Sequence, residues 1–416
     1  MNLPATPALS ARILAMWTLA ASTFLYAFLQ RVSPSVMVED LMRGFGVGGA
    51  LLGNLSAFYL YAYAALQLPL GMLFDRFGVR RLMSASFVLA GLGSLLFAAA
   101  DTLPLAYLGR LLIGAGVACS FVGALTVSAQ WLPAARFGMF AGLVQLLGMV
   151  GAIFGQAPLA ATVEALGWRG ALAALGIAGI ALALGLYAVL RDPPHAGGSR
   201  PQLGASLRAV IGLRDTWSCA VYGFAMTGPM LAFAGLWAVP FLATAYGLPR
   251  TTAAGLTSLI FVGWGVGAPT IGWLSDHLRN RKAPMLVCAV VAGLMLGAII
   301  LGPVWPLPLL AAMLVVHGAC ASAMVLSFAL VKESNAPEAS SAAMGVVNTF
   351  VVGSGALLQP FLGWLLDLQW NGATLNGARI YDPAAYRVAL AVLPLLFVVA
   401  LLAGLTMRER RTALRS

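Results

Sequence analysis

The chain has 416 residues, of which 61% are apolar and only 9% charged. So few charges cannot coat a water-soluble globule of this size, and composition therefore excludes a soluble enzyme and points to an integral membrane protein. The formal net charge of +11 is expected to lie in loops facing anionic lipid, so membrane lipid is a partner and nucleic acid is not.

Breaks at charges and at Pro/Gly turns divide the chain into twelve apolar stretches, each long enough for a helix to cross about 30 Å of hydrocarbon. The predicted spans are 12–38, 48–74, 80–100, 104–131, 136–160, 168–190, 214–245, 252–276, 283–301, 306–332, 338–367 and 385–407. No soluble domain is left over, and the first span reads as retained, not as a signal peptide. Cys119, Cys219, Cys288 and Cys320 all fall within spans and read as packing residues. No metal or cofactor is expected.

Orientation follows from Lys and Arg. With the N-terminus inside, 17 of the 24 basic residues fall on the cytoplasmic side, five on the other side, and Arg31 and Arg110 inside spans. Both termini are therefore expected in the cytoplasm. The composition and short loops suit a bacterial inner membrane.

The first span carries FLQRVSPSVM, 28–37. A guanidinium at the centre of a membrane helix costs about 2.5–3.5 kcal/mol, and an intramembrane charge is by default a functional candidate. Pro34 cannot donate to the carbonyl of Gln30, which leaves that oxygen free for a side chain or a ligand. Arg31 has two readings, contact with substrate or an ion pair with Glu39 or Asp40.

GMLFDRFGVRR, 71–81, follows the second span and recurs in degenerate form as GWLSDHLRNRK, 272–282, after the eighth. Gly71 to Gly272 and Asp75 to Asp276 are each 201 residues apart, so six spans are followed by six more in the same order, a parallel repeat. The fifth span carries Gln145 and Gln156, and the eleventh Asn348 and Gln359, with both pairs eleven residues apart. Each pair lies on one helix face, either lining a cavity or serving the interface between the halves. The expected domains are a first bundle at 1–190, a cytoplasmic linker with a short interfacial helix at 191–213, and a second bundle at 214–416.

These features resemble the major facilitator superfamily over the whole chain. The motif residues are Gly71, Asp75, Arg76, Gly78, Arg80 and Arg81, with Gly272 and Asp276 in the second copy. The resemblance implies an all-α membrane protein of two pseudo-symmetric six-helix bundles. It also implies a central cavity lined by spans one, four, seven and ten, with the bundles rocking between inward-open and outward-open states. It further implies that Asp75 latches to the start of span eleven and closes the cytoplasmic side.

Tyr26 and Arg31-Val32-Ser33 with Ser35-Val36 are similar to the first-span signature of the anion:cation symporter branch. There, arginines on spans one and four are associated with organic-anion recognition. Both arginines here lie about 10 Å below the outer surface at 1.5 Å per residue, and a substrate carboxylate suits them. Arg110 belongs to RLLIGAGVA, which also resembles a widespread architectural motif, so contact and architecture both stand as readings. Departures from the branch are Gln30 and Val117 where it often has acids.

The expectation is thus a secondary transporter of a small organic anion, functional as a monomer and not an enzyme. Tyr26, Gln30, Tyr59, Tyr63, Trp237 and His317 complete the candidate pocket. His317, on the tenth span, is the candidate for proton coupling, or else a neutral histidine bonded between helices. The alternatives are a proton-coupled drug or metabolite exporter of the same superfamily and, more remotely, a non-transporting sensor. No acid is expected mid-span, which disfavours a cavity for cationic drugs.

Overall fold

The computed structural model describes residues 10–67, 69–133, 136–192, 210, 212–335 and 340–407, apart from the side chains at 71, 72, 75 and 341. The expected linker at 191–213 lies mostly outside the described residues, and its surface helix with it.

Among the described residues, twelve helices are long and apolar enough to cross a membrane: α1 Ala11–Val36, α2 Gly49–Gln67, α3 Leu70–Ala99, α4 Leu103–Trp131, α5 Phe137–Phe154, α6 Ala157–Val189, α7 Arg214–Tyr246, α8 Arg250–His277, α9 Lys282–Leu301, α10 Leu307–Ser334, α11 Ser340–Leu368 and α12 Pro383–Thr406. A helix satisfies its own backbone hydrogen bonds, which is what lets these segments sit in hydrocarbon. They form two six-helix bundles, α1–α6 and α7–α12. The seam between the bundles runs along α2 against α11 and α5 against α8. A two-residue hairpin, β1 Thr374–Leu375 and β2 Ala378–Arg379, precedes α12.

The predicted boundaries need two corrections. The fifth helix ends at Phe154 and the sixth starts at Ala157, so the loop expected at 161–167 is helical up to a break at Gly167 (φ 69°, ψ 164°), and Gln156 sits in the turn between the two helices, off the helix face it was expected to share with Gln145. The loop expected at 75–79 shrinks to a single turn, because helix continues through Phe77 and resumes at Val79. Only Gly78 departs from helical geometry, with φ 75° and ψ 166°, a conformation open to glycine and strained for any residue with a Cβ. Asp192, at the end of α6, accepts from the amides of Val79 (2.7 Å) and Arg80 (3.1 Å), so a carboxylate caps the restarted helix. Arg80 donates to Tyr187 O at 2.8 Å and lies over that ring. In the second copy, Arg281 bridges Asp276 and Glu333. The Asp75 side chain, and so its latch, lies outside the described residues. Arg76 and Arg81 are exposed, and around Gly272 there is open space.

The repeat is visible in packing as well as in sequence. Gly114 of α4 lies directly against the carbonyl of Tyr59 on α2, and Gly318 of α10 against that of Ile260 on α8. Tyr59 and Ile260 are 201 residues apart, the offset of the loop motifs. A side chain at either glycine would collide with backbone, so both bundles use the same close helix crossing.

One face of the molecule is closed by bonds between the bundles. Asp40, in the short helix Val38–Phe45, pairs with Arg250 at the start of α8 (2.6 Å). Asp367 near the end of α11 accepts from the amides of Gly49 and Ala50 at the start of α2, both at 2.9 Å. Arg379 (3.0 Å) and Tyr381 hold the same carboxylate. Burial and the adjoining Asp367 charge push the Tyr381 phenol well above its ordinary range, so it stays a donor.

Candidate substrate site

Pro34 ends the regular part of α1, which tightens into a 3₁₀ turn over Ser33–Val36. The carbonyl of Gln30 is freed as expected, and protein groups take it. Ser33 Oγ donates to it at 3.0 Å and Arg110 at 2.9 Å. The second terminal nitrogen of Arg110 donates to Ser56 O of α2 at 3.2 Å. Arg110 is 0% exposed and ties α1, α2 and α4 together through two backbone oxygens. This is the architectural reading of Arg110.

Arg31 is placed differently. It is 7% exposed, and its guanidinium carbon lies 4.3 Å from the Phe28 ring centre, 4.8 Å from that of Tyr63 and 5.7 Å from that of Tyr59. Its electrostatic partners are the phenols of Tyr59 and Tyr63, which stand one turn apart on α2 with their rings stacked. Tyr59 spends its proton on Ala27 O at 2.8 Å. Asp40 is occupied by Arg43 and Arg250, which removes the reading in which Arg31 pairs with it. Among the described residues no carboxylate forms an ion pair with Arg31 or Arg110, and the Nε of each is buried without a hydrogen-bond partner; what distinguishes Arg31 is that no backbone oxygen takes its terminal nitrogens.

Tyr26 and Gln30 are drawn into the first bundle. Tyr26 donates to Leu175 O of α6 (2.9 Å), and Gln30 Nε2 donates to the Tyr26 hydroxyl (2.8 Å) and to Ser94 of α3 (3.2 Å). Both leave the face that Arg31 occupies. His317 likewise turns into the second bundle. Its Nδ1 meets Ala292 O of α9 at 3.0 Å, its ring packs edge-on against Phe397 of α12, and its Nε2 has no partner. A carbonyl only accepts, so the proton sits on Nδ1, and a second proton on Nε2 would have no acceptor. His317 is thus held inside the second bundle, between α9, α10 and α12.

The repeat-related glutamines meet at α7, which is π-helical over Met230–Trp237. Widening the helix frees carbonyls, and the glutamine amides take them. Gln156 donates to Ala234 O (3.1 Å) and Gln359 to Leu231 O (2.9 Å), while Trp237 donates to Gln359 O (3.1 Å). Gln156 also accepts from Ser35 at 3.4 Å, so it joins the irregular part of α1 to that of α7 across the seam. Asn348 reaches Gln67 of α2 at 3.5 Å. Gln145 Oε1 is buried without a partner. Above Ser35, on the Asp40 face, a cavity of about 570 Å³ between the bundles is lined by Glu39, Glu164, Trp168, Pro240 and Arg250, among others.

Sequence reasoning missed Phe28, Ser56, Asp192 and Asp367. Phe28 precedes Arg31 by three residues, which places it on the same helix face. Ser56 acts through its backbone oxygen, which no sequence pattern announces.

The profile of the Major Facilitator Superfamily matches residues 19–360 and 219–416. The chain belongs to this superfamily. It is a multi-pass membrane transporter of a small molecule, not an enzyme. It is 26% identical to the probable L-galactonate transporter of Escherichia coli (strain K12) over 65% of this chain and 64% of that one. With the probable sulfoacetate transporter SauU of Cupriavidus necator it shares 24% identity over 62% of this chain and 64% of the relative. The alignments thus span a little under two thirds of either carrier. Among solved structures, a bacterial homolog of the human lysosomal transporter Spinster superposes with a TM-score of 0.80 at 18% identity, covering 96% of this chain and 98% of that one. That likeness concerns the fold.

Proposed function

We propose that this transporter moves a small organic anion across a bacterial inner membrane by alternating access, with Arg31 binding the anionic group. The carrying observation is Arg31 itself, a permanently charged guanidinium within the membrane span, ringed by aromatic groups and without a carboxylate partner among the described residues. A carboxylate or sulfonate satisfies it in bidentate fashion. The relative named for L-galactonate is named for an acid with one carboxylate, and that named for sulfoacetate for one with a carboxylate and a sulfonate, which supports an anionic substrate. With both termini in the cytoplasm, the closed Asp40 face is periplasmic, and the protein works as a monomer in lipid. Gln156, Asp40–Arg250 and Asp367 hold the bundles together on that side, and the motif at 71–81 serves the cytoplasmic side.

The test is binding of mono-, di- and tricarboxylates to purified protein and to Arg31→Ala. We expect the variant to lose at least tenfold in affinity, because an ion pair in a dry site contributes more than the 1.4 kcal/mol that tenfold represents. Equal binding by both proteins removes Arg31 from the site. Drug export is the weaker reading, since a cationic drug would meet Arg31 without an acid beside it.

A further inference from the structure

Resting on the anion reading, the inference concerns how many negative charges the substrate carries. The expected site had two cations level in the membrane, a pair suited to two carboxylates. Both guanidinium carbons lie near the Tyr59 ring, Arg31 at 5.7 Å from its centre and Arg110 at 5.0 Å, but their donors are engaged differently. Both terminal nitrogens of Arg110 are committed to backbone oxygens, Gln30 O and Ser56 O, and the residue has no exposed surface. All three groups belong to the first bundle, so a bundle that rocks as a rigid body carries these bonds with it, and Arg110 stays engaged in either state of the transporter. Freeing it would break two hydrogen bonds of a charged donor in a dry interior.

No second cation takes its place. In the second bundle, His317 is the basic group near mid-membrane among the described residues, and it is bonded to Ala292 O behind the wall of that bundle. Arg250 stands at a helix end and is held by Asp40. What surrounds Arg31 is aromatic, namely Phe28, Tyr59 and Tyr63, which suits the body of a substrate and brings no further cation to a second anionic group.

We infer that the site neutralises one negative charge and that its substrate is a monoanion, a monocarboxylate or monosulfonate, in preference to a dianion. The two anionic groups of a dicarboxylate would meet one free guanidinium, and the second would lose its water without gaining a cation.

The experiment compares acids that differ in one carboxylate: butyrate with succinate, benzoate with phthalate, and gluconate with glucarate. All are fully ionised above pH 7. Binding to the full-length protein in detergent is measured by titration calorimetry, with Arg31→Gln alongside. The expected result is that the monoanion of each binding pair binds at least tenfold more tightly and that Arg31→Gln abolishes the binding. A dianion that binds as tightly as its monoanion, and loses that binding in Arg31→Gln, overturns the charge count and leaves the anion site standing. Binding that Arg31→Gln leaves intact, or no binding by any acid in the panel, overturns the anion site and the count together.

Discussion

At the scale of single residues, the arginines of the first and fourth spans differ in what their donors reach. Hydrogen bonds to a charged group contribute about 1.5–3 kcal/mol each, and Arg110 makes two to backbone oxygens of neighbouring helices. Arg110→Leu is therefore expected to lower the melting temperature and the yield of folded protein, while Arg31→Gln leaves both near those of the parent. Thermal unfolding in detergent checks this, and an Arg110→Leu protein as stable as its parent sinks the clamp. The same division sets the energetics of a second substrate charge. Across about 10 Å at an effective dielectric of about 20, the field of Arg110 supplies about 1.7 kcal/mol. Stripping the water from an unpaired carboxylate costs several kcal/mol, so desolvation wins. Arg31 and Arg110 were both legible as buried cations. Their difference was not, because the acceptors of Arg110 are main-chain oxygens that every residue carries.

At the scale of elements, irregularity marks where helices must bind one another. Pro34 breaks α1, and the carbonyl it frees becomes the anchor for Arg110. In α7 the π-helical stretch exposes carbonyls that Gln156 and Gln359 claim. The eleven-residue spacing announced those glutamines as a pair, and the structure gives them unequal duties: Gln359 works within its own bundle, whereas Gln156 crosses the seam. Breaking the ties that cross on the Asp40 face should favour its opening. A carboxylate at a helix N-terminus contributes about 0.3–1 kcal/mol, and up to about 2 when partly buried. Asp367→Asn combined with Arg250→Ala should therefore raise the open population severalfold. Spin labels at the exposed Glu164→Cys and Thr252→Cys, one on each bundle, would report it as a longer distance component. An unchanged distance distribution would mean that these ties do not hold the face shut.

For the whole molecule, the repeat organises the fold and the site departs from it. Tyr59 and Ile260 occupy equivalent places at the two glycine crossings, yet only the first has a phenol to set beside Arg31. Both bundles share their packing, and the cationic chemistry belongs to one of them. Topology carries its own prediction: a cysteine at residue 5, in an otherwise unreactive background, should be labelled by a membrane-impermeant maleimide in inverted vesicles and protected in intact cells. Labelling in intact cells would reverse the orientation and assign the Asp40 face to the cytoplasm.

Composition and span length determined that this is a twelve-helix membrane protein, because hydrocarbon admits only segments that are apolar and internally hydrogen-bonded. The 201-residue offset determined its two-bundle design, and Arg31 was legible as a cation within a span because a guanidinium cannot shed its charge. Only the tertiary structure distinguished the two intramembrane arginines by the acceptors their donors reach. It turned Tyr26, Gln30 and His317 into the bundles and set Arg110 on two carbonyls, since a side chain's role in a dry interior depends on the acceptor it reaches, and most of those acceptors are backbone oxygens.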